Sequence, residues 1–141
     1  MKEIEIKLVK EWPSSEIVNL YKAGNWWKPH YNVSELSKLI TNSFVFVVAI
    51  DKTSQKAIGM GRVISDGVSD AYIQDVIVLP EYRYHTIGKQ IIETLINHCH
   101  NHHIEWIGLI AEPGSIEFYT SLEFQRMKNH IPMLLKQRSN P

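Results

Sequence analysis

The sequence predicts an α+β chain, a central mixed β-sheet flanked by helices. Three observations carry that expectation. Strand-like apolar runs follow one another through residues 43–79 with turn-rich stretches between them, as an antiparallel meander requires. A full helical pattern over residues 88–102 then separates the run at 70–79 from the next one at 104–111. Two strands joined through a whole helix lie parallel with a right-handed crossover, so the sheet is mixed.

The elements follow in order. Ile4, Ile6 and Leu8 alternate with Glu3, Glu5 and Lys7, the pattern of a half-buried strand. Pro13-Ser14-Ser15 opens a short helix carrying Ile17, Leu20 and Tyr21, and Gly24 stops it. Asn32 and Glu35 have the spacing of a capping box ahead of a second helix, whose apolar face is Val33, Leu36, Leu39 and Ile40. Residues 43–50 read as a strand buried on both faces, and the turn-rich 51–56 leads to a strand at 57–65. Asp66-Gly67 signals a hairpin into the strand at 70–79, which Pro80 ends. Ile91, Ile92, Leu95, Ile96 and Cys99 recur at helical spacing. Beyond the strand at 104–111, Ser115 stands where it can cap a short helix carrying Ile116, Tyr119 and Leu122. Residues 124–127 and 131–136 read as a final hairpin, with a polar, frayed end after it. No linker, repeat or low-complexity segment interrupts the chain, so a single domain over residues 1–141 is expected.

Bulk properties narrow the function. The 15 basic and 15 acidic residues cancel, and no run of Lys and Arg appears, which argues against nucleic acid or an anionic membrane as the main partner. No stretch approaches the roughly 20 apolar residues that span a bilayer. The N-terminus carries no apolar signal core. Cys99 is the single cysteine, so no internal disulfide can form, and a reducing, cytoplasmic setting is expected.

The segment Val78-Leu79-Pro80-Glu81-Tyr82-Arg83-Tyr84-His85-Thr86-Ile87-Gly88-Lys89 joins a buried strand to a helix. Unpaired N–H groups and the positive end of the dipole gather at a helix start, and phosphate binds there. Arg83 and Lys89 add charge, and Gly88 allows a ligand close to the backbone. Read from the residues alone, the segment is equally an ordinary strand–loop–helix connection with basic surface residues.

This segment resembles the acetyl-CoA signature of the GNAT superfamily of N-acetyltransferases, strand then V-x-P-x-x-R/Q-x-x-G-x-G/A then helix. Val78, Pro80, Arg83, Ile87 and Gly88 stand at the motif positions. The predicted element order is similar to the GNAT fold over nearly the whole chain. Gly61-Arg62-Val63-Ile64-Ser65-Asp66 and Ile73-Gln74-Asp75-Val76-Ile77-Val78 are similar to small bacterial-type members of the serotonin N-acetyltransferase-like group. Thr86 stands where the motif has its first glycine, and Tyr84-His85 replace the usual small and basic pair. A β-branched residue is strained if that position needs a positive φ.

The resemblance implies acetyl-CoA as co-substrate, no metal, and acetyl transfer to a primary amine of a small molecule, an amino acid or a protein. It implies that Val76, Ile77 and Val78 present backbone groups to the pantetheine and thioester, where one N–H can polarise the acetyl carbonyl. The same three residues serve equally as strand core. Further acetyl-CoA contacts are implied at Arg83, Tyr84, His85, Thr86, Ile87, Gly88, Lys89, Ser115 and Phe118. The stretch from Ser115 to Phe124 resembles the family's F-Y-x-x-L-G-F segment, which makes Tyr119 the general acid for the leaving thiolate, with Glu123 in the glycine position. Asp75 is the candidate base: alternation places it opposite Val76, toward an acceptor cleft. Its other reading is an acid paired with Arg62 on the neighbouring strand. Trp26 and Trp27 either line the acceptor site or close the core beneath a loop. His98 and His102 have i, i+4 spacing, but Cys99 belongs to the apolar face, so no zinc site is read there. A homodimer is consistent with the resemblance. The alternative function is a GNAT-like module that holds CoA without turnover.

Overall fold

The computed structural model describes residues 3–83 and 86–137. Residues with both faces covered make its centre. β2 (Val45–Asp51) is buried at every position. It lies between β1 (Ile4–Leu8) and β3 (Lys56–Ser65), antiparallel to both. β4 (Asp70–Val78) pairs antiparallel with β3, and β5 (Trp106–Gly108) pairs parallel with β4. The sheet order β1-β2-β3-β4-β5 is the expected mixed sheet.

Two helices cover one face. α1 (Ser14–Ala23) buries Ile17, Leu20 and Tyr21, and α2 (Leu36–Asn42) buries Leu36 and Ile40. Both pack with Phe46, Val48, Ile50 and Met60 in one cluster. Each fully buried aliphatic side chain of this kind contributes roughly 1.5–3 kcal/mol. α3 (Ile87–Asn101) covers the opposite face with Ile91, Ile92, Leu95 and Cys99. It packs so closely that a Cβ at Gly61 would lie 2.8 Å from Ile91 Cγ2. Any side chain there would push the helix away from β3.

Contacts divide the chain into two compact units, Met1–Leu109 and Ile110–Pro141. The sheet and α1–α3 belong to the first. The second contains α4 (Ile116–Ser121).

Several expectations are corrected. The strand expected at 104–111 is only Trp106–Gly108. The expected final hairpin is absent among the described residues: 124–137 contain no strand, and Ile131, Met133, Leu134 and Leu135 are exposed. A strand needs an edge to pair with, which alternation in a sequence cannot supply. The Asn32/Glu35 capping box does not form as such. Asn32 Oδ1 accepts from Ser34 N–H at 3.0 Å and caps a 3₁₀ turn, Val33–Glu35, after which α2 begins. Ser115 stands at the start of α4, but its Oγ donates to the Glu112 carbonyl at 2.6 Å instead of capping the helix.

Candidate active site

β4 carries a bulge. Met60 faces Ile77 and Arg62 faces Gln74, so Asp75 and Val76 together oppose Gly61. Asp75 absorbs the extra residue at φ 60, a left-handed conformation that Asp tolerates better than most residues. The bulge keeps Asp75 and Val76 on opposite faces. Val76 faces the α3 side, where its Cγ2 would lie 3.3 Å from a Cβ on Gly61. Asp75 faces α1: Tyr21 donates its hydroxyl to Asp75 Oδ2 at 2.8 Å, and Arg62 Nε donates to the same oxygen at 2.6 Å. Arg62 also reaches Ser43 Oγ at 3.4 Å. The pairing of Asp75 with Arg62, one of its two sequence readings, is thus present. Burial raises the Tyr21 hydroxyl well above the ordinary tyrosine range. The Asp75 charge and hydrogen bond add to that rise, and Arg62 partly offsets it. Tyr21 therefore stays a donor at neutral pH.

Beside this network stand the tryptophans. The Tyr21 ring lies 6.3 Å from Trp26 and 6.3 Å from Trp27, and Trp27 meets Tyr31 edge-on at 5.5 Å. Both tryptophans are partly buried against the α1–α2 cluster, so closing the core is one thing they do. They also form an aromatic wall one residue away from the Asp75 carboxylate.

After Tyr72, ahead of the bulge, β4 and β5 part. Their pairing covers only Asp70, Ala71 and Tyr72. Leu79 N–H donates to Ile58 O at 2.8 Å, and Val78 faces Gly59 in the next register position. By the two-residue period, the N–H and C=O of Val78 point away from β3, where no described strand continues. Arg83 Nε donates to that Val78 carbonyl at 3.1 Å, so the guanidinium is folded back onto the end of β4.

α3 begins directly after this turn. Thr86 precedes it at φ 61, the left-handed conformation anticipated as a strain for a β-branched residue. Among the described residues no side-chain cap hydrogen bond closes the helix start, and no acidic residue lies in its first turn. Among the described residues Gln90 N–H is the first to reach back, to Thr86 O at 3.1 Å, and the N–H groups of Ile87, Gly88 and Lys89 stand at the helix start ahead of it. That is an anion-receptive helix start. Lys89 is 3.8 Å from Glu93. Tyr84 and His85 lie outside the described residues.

In the second unit, Tyr119 packs with Phe118 at 5.0 Å and Phe124 at 5.7 Å between ring centres. Burial raises its hydroxyl above the usual tyrosine value, and the charge of Glu112 adds to the rise. Glu123 follows the helix at φ 72. Glu123 and Thr86, the two departures from the family's glycines, thus both hold the left-handed conformation that glycine adopts freely. Among the described residues no cluster of three His, Cys, Asp or Glu could hold a metal. His98 and His102 stack at 4.5 Å, and His102 Nδ1–H donates to the His98 carbonyl.

The sequence missed Tyr21 as a polar partner of Asp75. Its helical spacing marks it as core, and nothing in one chain's sequence says where its hydroxyl ends.

The mixed five-stranded sheet, flanked by helices and bulged in β4, is the fold of an acetyltransferase class. The pattern of the Acetyltransferase (GNAT) family matches residues 7–124, and the chain belongs to that family. It is an acetyltransferase, and members of its family use acetyl-CoA. It is similar to an uncharacterized N-acetyltransferase, ycf52, of Pyropia yezoensis, with 29% identity over 119 residues, covering 79% of this chain and 67% of that protein. A GNAT family acetyltransferase from Streptococcus pneumoniae TIGR4 superposes with a TM-score of 0.81 at 24% identity, over 97% of this chain and 100% of that one. The same fold is found in AAC(6')-Iy in complex with the bisubstrate analogue CoA-S-monomethyl-acetylneamine, with a TM-score of 0.73 at 16% identity over 97% and 99% of the chains.

Proposed function

We propose that this chain transfers an acetyl group from acetyl-CoA to a primary amine by direct attack in a ternary complex. The observation that carries the reading is the sequence of features along β4: the bulge at Asp75, the outward-facing backbone of Val78, then the start of α3, which no described side chain caps. A thioester arm laid along Val76, Ile77 and Val78 would meet backbone groups, and its pyrophosphate would meet the N–H groups of Ile87, Gly88 and Lys89 with Arg83 nearby. Thr86 belongs to the same surface, and the motif adds Tyr84, His85, Ser115 and Phe118.

Two residues are assigned proton roles. Asp75, through water, accepts the proton that the ammonium must lose before its lone pair attacks the carbonyl carbon. As the C–N bond forms and the C–S bond breaks, Tyr119 gives its hydroxyl proton to the thiolate sulfur, and the second proton shed by the attacking nitrogen restores the phenol. A phenol held protonated by burial and by Glu112 suits that donation. Trp26, Trp27 and the Asp75 carboxylate suit an acceptor that is cationic and partly apolar, since aromatic faces and a carboxylate both attract an ammonium.

The match over residues 7–124 supports the two units acting as one GNAT domain. The exposed run from Ile131 to Leu135 supports a homodimer. Cys99, buried and the single cysteine, is compatible with a reducing, cytoplasmic compartment. No helix among the described residues is long and apolar enough to cross a membrane.

Thermal unfolding with and without acetyl-CoA tests the reading. A ligand at 100 times its dissociation constant adds about 2.7 kcal/mol, which for a domain of this size raises Tm by about 5–10 °C. Release of CoA thiol with a panel of amines then tests turnover. No shift at saturating acetyl-CoA sinks the site, and a shift without thiol release leaves a binding module.

A further inference from the structure

A charged side chain lies buried outside the site just described. Asp51, the last residue of β2, is 3% exposed. A carboxylate so deep is costly unless its oxygens are hydrogen-bonded. Oδ1 accepts from Thr53 N–H at 2.9 Å, inside the β2–β3 turn. The Asp51 carbonyl also accepts from Gln55 N–H at 2.7 Å. The carboxylate is therefore fixed to a rigid turn, and β1 and β3 flank it through the register pairs Ile4↔Asp51 and Asp51↔Lys56.

Oδ2 accepts the hydroxyl of Tyr82 at 2.5 Å, across 31 residues of sequence. Tyr82 ends the 3₁₀ turn Pro80–Tyr82, the first part of the connection from β4 to α3. Its own N–H donates to Leu79 O at 2.9 Å, and the next residue is Arg83. The bond thus ties the entrance of the loop that precedes α3 to the β2–β3 turn, at the end of β3 that pairs with the end of β4.

We propose that Asp51 and Tyr82 are a positioning pair for acetyl-CoA, holding the β4–α3 connection so that Arg83 and the first turn of α3 are set before the ligand arrives. This rests on reading that connection as the acetyl-CoA site. Neither residue touches the reacting atoms. Their contribution is to remove ordering that binding would otherwise have to supply. It is read in affinity and not in the chemical step.

The test compares Tyr82→Phe with the parent protein. The dissociation constant and KM for acetyl-CoA are expected to rise about 2- to 10-fold, the range for freeing one or so ordered side chains. The kcat at saturating acetyl-CoA and the KM for the amine stay within about twofold. Asp51→Asn keeps a carbonyl oxygen for the Tyr82 hydroxyl and falls between the two, and it carries the test if Tyr82→Phe does not fold. Unchanged acetyl-CoA affinity in Tyr82→Phe overturns the pair, as does a fall in kcat with KM unmoved. Gly88→Leu separates the two ideas. If it weakens acetyl-CoA binding while Tyr82→Phe does not, only the pair falls. If neither variant changes affinity, the loop is not the acetyl-CoA site and both readings fall.

Discussion

β2 and the segment from Ile131 to Leu135 are both short aliphatic runs, and they meet opposite fates. Val47, Val48 and Ala49 are 0% exposed, whereas Met133, Leu134 and Leu135 are 88–90% exposed. The difference lies in neighbours. β2 has strands on both edges and helices on both faces. The later segment pairs with no described strand. Apolar composition says that a segment gains by burial, and only a partner surface converts that gain into structure. In the unit containing β2 the partner comes from the chain. For residues 131–135, the proposed partner is a second copy.

The largest expected effect breaks the comparison at the level of function, because Tyr119 belongs to the second unit. Tyr119→Phe should lower kcat by about 10²–10⁴-fold while Tm stays nearly constant. Asp75→Asn should lower kcat as well. The raised hydroxyl of Tyr119 also sets a sign. The group stays protonated above the ordinary tyrosine range, so proton donation imposes no alkaline fall in kcat below it. Normal turnover in Tyr119→Phe removes it from the mechanism and leaves catalysis to the first unit.

Next comes stability. Phe46→Ala empties a 1% exposed position in the α1–α2 cluster and should cost about 3–5 kcal/mol by denaturant unfolding. Leu134→Ala should stay within about 0.5 kcal/mol at dilute protein, where no partner covers it. Leu134→Glu should leave folding intact and abolish the dimer in sedimentation or light scattering. A protein that is monomeric before substitution rejects the dimer.

The smallest effect sharpens a likeness between the two units. Thr86 at φ 61 and Glu123 at φ 72 are both left-handed at family glycine positions. Left-handed strain costs about 1–2 kcal/mol in a residue with a Cβ, and glycine returns about 0.4–1 kcal/mol of it through a more flexible unfolded chain. Thr86→Gly and Glu123→Gly should therefore each stabilise by up to about 1 kcal/mol. Destabilisation at either position means that its side chain contributes more than the strain removes. For Thr86 one contact is visible: Gln90 Nε2 donates to its hydroxyl at 3.3 Å.

Local pattern made much of this legible. Alternation in Ile4–Leu8, the helical recurrence from Ile91 to Cys99 and the turn at Asp66-Gly67 each depend on residues close in sequence, and each appears where expected. The family's loop motif was legible because Pro80, Arg83 and Gly88 keep its spacing. The sequence by itself thus determined the element order as far as α4, the meander with its parallel crossover, and the family. The tertiary structure decided what depends on distant partners. It bent β4 at Asp75 against Gly61, joined Tyr21 and Arg62 to one carboxylate oxygen, and tied Tyr82 to Asp51 across 31 residues. It also left residues 131–135 without a described strand to pair with. Periodicity reports which face of an element is apolar, but the end of a hydrogen bond and the edge of a sheet are set by what the rest of the chain brings alongside.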